Sequence, residues 1–213
     1  MQQNIYIIGA SGAALEVANY ILDIEKYNFV AFIDKDEAIT VDHLTIRDKQ
    51  YPIIKEKTFL TDTKYDNALG AIAIGNPYLR EKIATKFEYK LSFPNIIHPS
   101  VNRIDTSIIL GQGNIFSPNC TLTTNLLIGS FNFLNIGVII GHDANIGSYN
   151  VFNTNAVISG NVTIENSCLL GTNSAIIQGK KIISNTTIGI GSTVIKSIKK
   201  PGTYMGCPAR KIL

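Results

Sequence analysis

Residues 134–164 read LNIGVIIGHDANIGSYNVFNTNAVISGNVTI, with a large apolar residue at every sixth position: Leu134, Ile140, Ile146, Phe152, Ile158 and Ile164. The series runs unbroken back through Ile128, Leu122, Phe116, Leu110 and Ile104, and on through Leu170, Ile176, Ile182, Ile188 and Val194. The chain is 45% apolar, so chance would fill all these positions about three times in a million. A period of six fits neither a helix nor a simple alternating strand.

Glycine often follows the apolar residue (Gly111, Gly129, Gly141, Gly147, Gly171, Gly189). A small or medium residue often stands four places on, as at Cys120, Ala144, Ala156, Cys168, Ser174, Thr186 and Ser192. This pattern predicts a solenoid that turns a corner every six residues, aliphatic side chains inward. Glycine or asparagine would stand where the backbone bends into positive φ. Asn132, Asn135, Asn145, Asn150, Asn153 and Asn155 suit such corners. Three hexads make one triangular coil of about 18 residues, so the run supplies about five coils. The flat faces of such a body favour stacking against copies of itself.

The first 88 residues read differently. Ile5 to Ile8 is a strand, Gly9-Ala10-Ser11-Gly12 a tight turn, and Ala13 to Asp23 a helix with Leu15, Val17, Ala18 and Ile21 on its apolar face. Asn28 to Asp34 is a second strand ending in an acid; Ala68 to Gly75 is a third, followed by a helix from Tyr78 to Phe87. Strand, glycine turn, helix, strand and acid is the layout of a Rossmann-like βαβ nucleotide-binding unit, although the turn reads G-A-S-G-A-A and lacks the full fingerprint. The domains are therefore 1–88, α/β and nucleotide-binding; 89–103, a connection; 104–199, the solenoid; and 200–213, a tail.

Composition narrows the function classes. The net charge is +3 and the basic residues form no long block, which argues against nucleic acid. Cys120, Cys168 and Cys207 make neither a metal pattern nor a disulfide framework, which fits a reducing cytoplasm. MQQNIYIIGASG reads as a buried strand rather than a signal peptide, and no apolar stretch is long enough to span a membrane.

The histidines are His43, His98 and His142. His43 falls in a polar loop, and His98, before Pro99 at the domain junction, suits a structural role. His142 sits inside the repeat in IIGHDANIG; its position recurs at Thr124 one coil earlier and at Gly160 one coil later. The imidazole should therefore stack beside a residue with no side chain, leaving a notch with a backbone amide facing it. Asp143 could orient the ring, as acids do in general-base pairs. No nucleophile elbow and no metal cluster accompany it.

Hexads containing GHD, a preceding GASG turn, AIGN at Ala73 to Asn76, IIHPS, and the ending Gly206-Cys207-Pro208-Ala209-Arg210 resemble the sialic-acid and nucleotide-sugar acetyltransferases. The branch most similar is the UDP-4-amino-sugar N-acetyltransferase of bacillosamine synthesis. The resemblance implies a left-handed parallel β-helix, a homotrimer with active sites between subunits, and acetyl-CoA as donor without a metal. It implies His142 as catalytic base with Asp143 beside it. Acetyl-CoA contacts fall on Val151, Gly160, Thr172 and Ile190, with only the backbone in play at Val151. Nucleotide-sugar contacts fall on Ser11, Gly12, Ala13, Asp34, Lys35 and Gly75. Ala13 departs from the family, where many members have histidine in this turn. The acceptor implied is the amine of a UDP-linked 4-amino-4,6-dideoxyhexose. Three alternatives stand beside this: O-acetylation of a sialic acid, a non-catalytic nucleotide-sugar-binding trimer, and a dinucleotide-dependent oxidoreductase, which would leave the solenoid and His142 unexplained.

Overall fold

The structure, a computed structural model, describes residues 2–35, 41–103 and 106–212. The N-terminal domain is one six-stranded sheet. Its strands are β1 (Gln3–Ile8), β2 (Tyr27–Asp34), β3 (His43–Ile46), β4 (Lys49–Lys55), β5 (Ala68–Ile72) and β6 (Leu91–Ser92), in the order β3-β4-β2-β1-β5-β6. All neighbours are parallel except the β3–β4 hairpin, whose presence the apolar pattern did not announce. His43 thus lies on β3 rather than in a loop, exposed and bonded to Asp42. Helix α1 (Gly12–Ile24) covers one face of the sheet, while α2 (Glu56–Thr61) and α3 (Pro77–Phe87) cover the other.

The chain crosses from the β4 side to the β5 side of β1, so the strand order reverses beside β1. The carboxyl ends of β1, β2 and β5 open a crevice there, the usual ligand position of such sheets.

The second domain is a left-handed parallel β-helix of two- and three-residue strands in three sheets. The first face holds Ile96–Ile97, Ile115–Phe116, Phe133–Leu134, Val151–Phe152, Leu169–Leu170 and Thr186–Ile188, and continues into Gly202–Met205 and Arg210–Lys211. The second face runs from Asn102–Arg103 through Ile139–Ile140 to Thr193–Val194; the third runs from Ile109–Leu110 through Asn145–Ile146 to Lys181–Ile182. The ladder joins residues one coil apart, as in Ile115 with Phe133 and Phe133 with Val151. The hexad residues from Phe116 to Val194 all point inward and are buried. Each buried Ile or Leu contributes about 1.5–3 kcal/mol.

The corners differ from the sequence reading. The left-handed position is the third after each inward residue, and Gly113, Asn119, Asn125, Phe131, Gly137, Asp143, Tyr149 and Asn155 occupy it in turn. Of the asparagines assigned to corners, Asn155 has positive φ. Asn132 and Asn150 instead form an interior ladder, each side-chain oxygen accepting the N–H one coil on. The glycines that directly follow the inward residue are there for close approach: a β-carbon on Gly141 would meet the Gly160 nitrogen at 2.7 Å.

The solenoid also reaches beyond 104–199. Arg103 is the partner of Leu122 and Leu110 that of Ile128, so the first coil holds one extra residue between its second and third faces. Ile104, the first member of the hexad series, lies outside the described residues.

The first face is covered by the N-terminal domain. Ile96, Ile115, Phe133 and Val151 point outward from it and are buried against α1 and the sheet. The other two faces carry exposed apolar residues, Ile139 on the second and Ile109 and Leu127 on the third.

Candidate active site

His142 and Gly160 stand in adjacent coils at the corner between the second and third faces. A β-carbon on Gly160 would lie 2.5 Å from Cε1 of His142, so only glycine leaves room for the ring. Asp143 follows in the left-handed conformation, at φ 59°, a region Asp tolerates better than most residues. Its Oδ2 lies 2.7 Å from Nδ1 of His142, and Asn125 donates to Oδ1 at 3.2 Å. These hydrogen bonds, the imidazole's first, hold the Asp143 carboxyl below the ordinary carboxylate range. With the proton of a neutral ring on Nδ1, facing the carboxylate, Nε2 keeps its lone pair in the ring plane, while the ring face packs over Gly160. Both side chains are half exposed, so an amine can approach. Among the described residues the Gly160 N–H has no acceptor, which leaves it free to face an oxyanion.

The other residues assigned to acetyl-CoA lie elsewhere in the chain. Thr172 and Ile190 share the corner between the first and second faces, with Ile190 exposed. Val151 is buried in the seam between the domains, and its N–H already donates to Cys168.

The six nucleotide-sugar candidates gather at the sheet crevice. Ser11 caps α1 in extended conformation with no side-chain cap bond, and Gly12 opens the helix. Both are exposed and Ala13 is half-buried. The Gly9 N–H donates to Ile33 and the Ala73 N–H to Ile8, which locks the three strand ends together. A β-carbon on Gly12 or Gly75 would meet nothing within 4 Å, so the space in front of both is open. Free N–H groups at the start of α1 suit a phosphate. Asp34 and Lys35 line an adjoining cleft of about 410 Å³ with Glu56, Ile74, Leu79, Lys82, Ile83 and Lys86, within the roughly 300–1,000 Å³ of small-molecule sites.

His98 ties the domains: Nδ1 meets Ser100 at 2.7 Å, Nε2 meets Asp23 of α1 at 3.3 Å, and the ring sits edge-on to Tyr20. Burial pushes the Cys120 and Cys168 thiols up to about 12 and 11, so both stay protonated at neutral pH. Among the described residues no three His, Cys, Asp or Glu gather to hold a metal, and no helix is long and apolar enough to cross a membrane.

Sequence reasoning missed Lys82 and Lys86 as lining of the cleft, and Arg80 as a buried side chain of the same helix. The signal for Arg80 was its phase: it falls on the buried stripe Pro77, Ile83, Ala84, Phe87 of α3.

Residues 4–87 match the PglD N-terminal domain. Among curated protein sequences none matches the chain. Among solved structures, WeeI from Acinetobacter baumannii is 28% identical, with TM-score 0.87 over 99% of this chain and 100% of that one. PerB from Caulobacter crescentus, solved with CoA and GDP-perosamine, is 24% identical, with TM-score 0.85 over 97% and 96%. The acetyltransferase domain of PglB from Neisseria gonorrhoeae, solved with acetyl coenzyme A, is 20% identical, with TM-score 0.67 over the whole of both. Residues 4–87 are thus similar to the PglD N-terminal domain, and the chain as a whole shares the fold of WeeI, PerB and the PglB domain.

Proposed function

We propose that the chain is an acetyl-CoA-dependent N-acetyltransferase of a nucleotide-linked amino sugar. The observation that carries this is His142, its Nδ1 on Asp143 and its ring packed over Gly160. The likeness to PerB, solved with CoA and GDP-perosamine, supports the substrate class.

The sugar amine attacks the thioester carbonyl while Nε2 of His142 takes its proton. The Gly160 N–H faces the developing oxyanion. The intermediate collapses, the C–S bond breaks, and the departing thiolate takes the proton back from the imidazolium. Asp143 stabilises the charged ring meanwhile. General-base assistance of this kind is worth roughly 10²–10⁴ in rate.

Geometry supports a site shared between subunits. The N-terminal domain sits on the first face, and His142 stands at the corner opposite that face, with the solenoid between them. A sugar held at the Gly9–Gly12 turn therefore needs the His142 of a neighbouring copy. Thr172 and Ile190, on another corner from His142, fit acetyl-CoA lying along a groove between copies. The exposed Ile109, Leu127 and Ile139 on the two uncovered faces favour self-association, as a homotrimer in the cytoplasm.

The acceptor we favour is the 4-amino group of a UDP-linked 4-amino-4,6-dideoxyhexose. A phosphate-type helix start and Asp34 at the end of β2 both suit a nucleotide, and an amine needs less activation than a hydroxyl. The test is coenzyme A release across UDP-, GDP- and dTDP-linked amino sugars, with mass spectrometry and NMR of the product. An amide on one of these sugars is the expected result. Acetylation of free sialic acid, an O-acetyl ester, or no transfer would overturn the proposal.

A further inference from the structure

Arg80 lies in the first turn of α3, and its side chain is closed off from solvent. Nε donates to the Phe131 carbonyl at 2.9 Å, at the solenoid corner between the third and first faces. Nη1 donates to the carbonyls of Ile72 at 2.7 Å and Ile74 at 3.0 Å. The Phe133 ring lies 5.4 Å from the guanidinium carbon. Among the described residues no carboxylate pairs with Arg80, and Nη2 has no hydrogen-bond partner. Burial pulls the guanidinium down to about 9, so it remains cationic at neutral pH.

Burying a cation without a counter-ion is costly. A methionine or leucine on the same stripe would fill the space without that cost, so packing alone does not account for arginine here. The three carbonyls do. Ile72 ends β5 and Ile74 lies in the turn that runs into Gly75, and Ala73 between them lies under Gly9: a β-carbon on Gly9 would meet the Ala73 oxygen at 3.2 Å. In a trans peptide the C=O and the following N–H point in opposite directions. With the Ile74 carbonyl turned inward to Arg80, the Gly75 N–H faces the open crevice.

Resting on the functional reading above, we propose that Arg80 is a positioning residue for the nucleotide-sugar. It clamps the β5–α3 turn from behind, aims the Gly75 N–H at the ligand, and fixes that turn to the solenoid through Phe131. It touches neither substrate.

The test uses full-length Arg80→Lys and Arg80→Met. Lysine keeps the charge but offers its N–H groups from one nitrogen, without the planar fork that Arg80 spreads over three carbonyls; methionine fills the stripe without charge. In both, the KM for the nucleotide-sugar should rise about tenfold or more, while the KM for acetyl-CoA changes by less than about twofold. Amide hydrogen exchange across residues 73–79 should quicken while the solenoid strands stay protected. In Arg80→Ala, free guanidinium should lower the nucleotide-sugar KM again where equal sodium chloride does not. A parallel rise in both KM values, an unchanged nucleotide-sugar KM, or loss of folding in both Arg80→Lys and Arg80→Met would overturn the proposal. The exchange arm needs no substrate. A wild-type chain that acetylates no nucleotide-linked amine refutes the functional reading, and unchanged protection at 73–79 in Arg80→Lys refutes the clamp.

Discussion

Nδ1 of His142 and Oδ2 of Asp143 lie 2.7 Å apart although the residues are consecutive, because the chain turns a left-handed corner at Asp143. In an extended strand, neighbouring side chains point to opposite sides. The αL residue breaks that alternation and lets one carboxylate hold the ring next to it. Asn125, one coil earlier, holds the other carboxylate oxygen. The pair is oriented by the repeat itself.

Replacing His142 by alanine should lower turnover by at least roughly 10²-fold, the low end for losing a general base, with assembly and melting temperature unchanged. Coenzyme A release under saturating substrates measures it. Asp143→Asn should cost less, since Asp143 orients the ring and transfers no proton. Gly160→Leu should inactivate by filling the notch. Near-normal turnover in His142→Ala would place the base elsewhere.

A second prediction concerns acid stability. Asp23 of α1 accepts a hydrogen bond from Arg47 at 2.6 Å and faces His98 at 3.3 Å, and the Arg47 bond first among these contacts holds its carboxyl low. A folded pKa below the unfolded value near 3.9 gives stability that is present above that pH. It is lost as pH falls through the folded value. Unfolding free energies of wild type and Asp23→Asn from urea titrations should therefore differ at pH 7 by under about 1 kcal/mol, because the pair is solvent-screened. The gap should close below about pH 4. A gap that widens in acid would contradict this account.

The sequence carried the solenoid because its period is local and unbroken over residues 110–194. It carried the corners less well. Glycine after the inward residue suggested backbone freedom, whereas the structure uses Gly141 for close approach of the next coil and puts the left-handed bend two residues later. Even Phe131 and Tyr149 accept that bend, at about 1–2 kcal/mol each, and their rings stack in parallel at 5.6 Å. The stacking of His142 on Gly160 was legible from an eighteen-residue offset. Arg80 was not, because its role rests on carbonyls at Ile72, Ile74 and Phe131 that only tertiary packing brings together. Val151 shows the opposite failure: its place in the repeat was clear, but nothing local said that the N-terminal domain would cover it.

The asparagine ladder gives a third prediction. Asn132 is buried; its amide donates to Asn114 at 3.0 Å and to the Gly147 carbonyl at 2.9 Å, and its oxygen accepts the Asn150 N–H at 2.9 Å. Asn132→Ala strands buried polar groups in two neighbouring coils, each worth about 1–3 kcal/mol. Denaturant unfolding should show a loss of roughly 3 kcal/mol or more. Asn153→Ala, at a half-buried position with a 3.3 Å contact to Asn135, should cost under about 1 kcal/mol. Equal losses would mean the ladder has no special weight.

The last prediction tests the shared site directly. In the proposed function, His142→Ala removes the base but leaves the nucleotide crevice intact. Gly12→Leu leaves the base intact and fills the crevice at the start of α1, where a β-carbon meets no neighbour within 4 Å and the helix can form. Each variant alone should be inactive. Suppose subunits are mixed in equal amounts, unfolded and reassembled at random. A crevice from one copy then meets the base of the next in working condition at about one interface in four, if every site draws on two subunits. Reassembled mixtures should regain about a quarter of wild-type turnover per site, and mixtures never dissociated should stay inactive. If each chain held its own complete site, every chain in the mixture would still lack one half of it, and no mixing protocol would restore activity. Light scattering on the same samples checks that hybrids form: a monomer mass with full wild-type activity at micromolar protein would defeat the shared-site reading, while leaving the pairing of His142 with Asp143 in place.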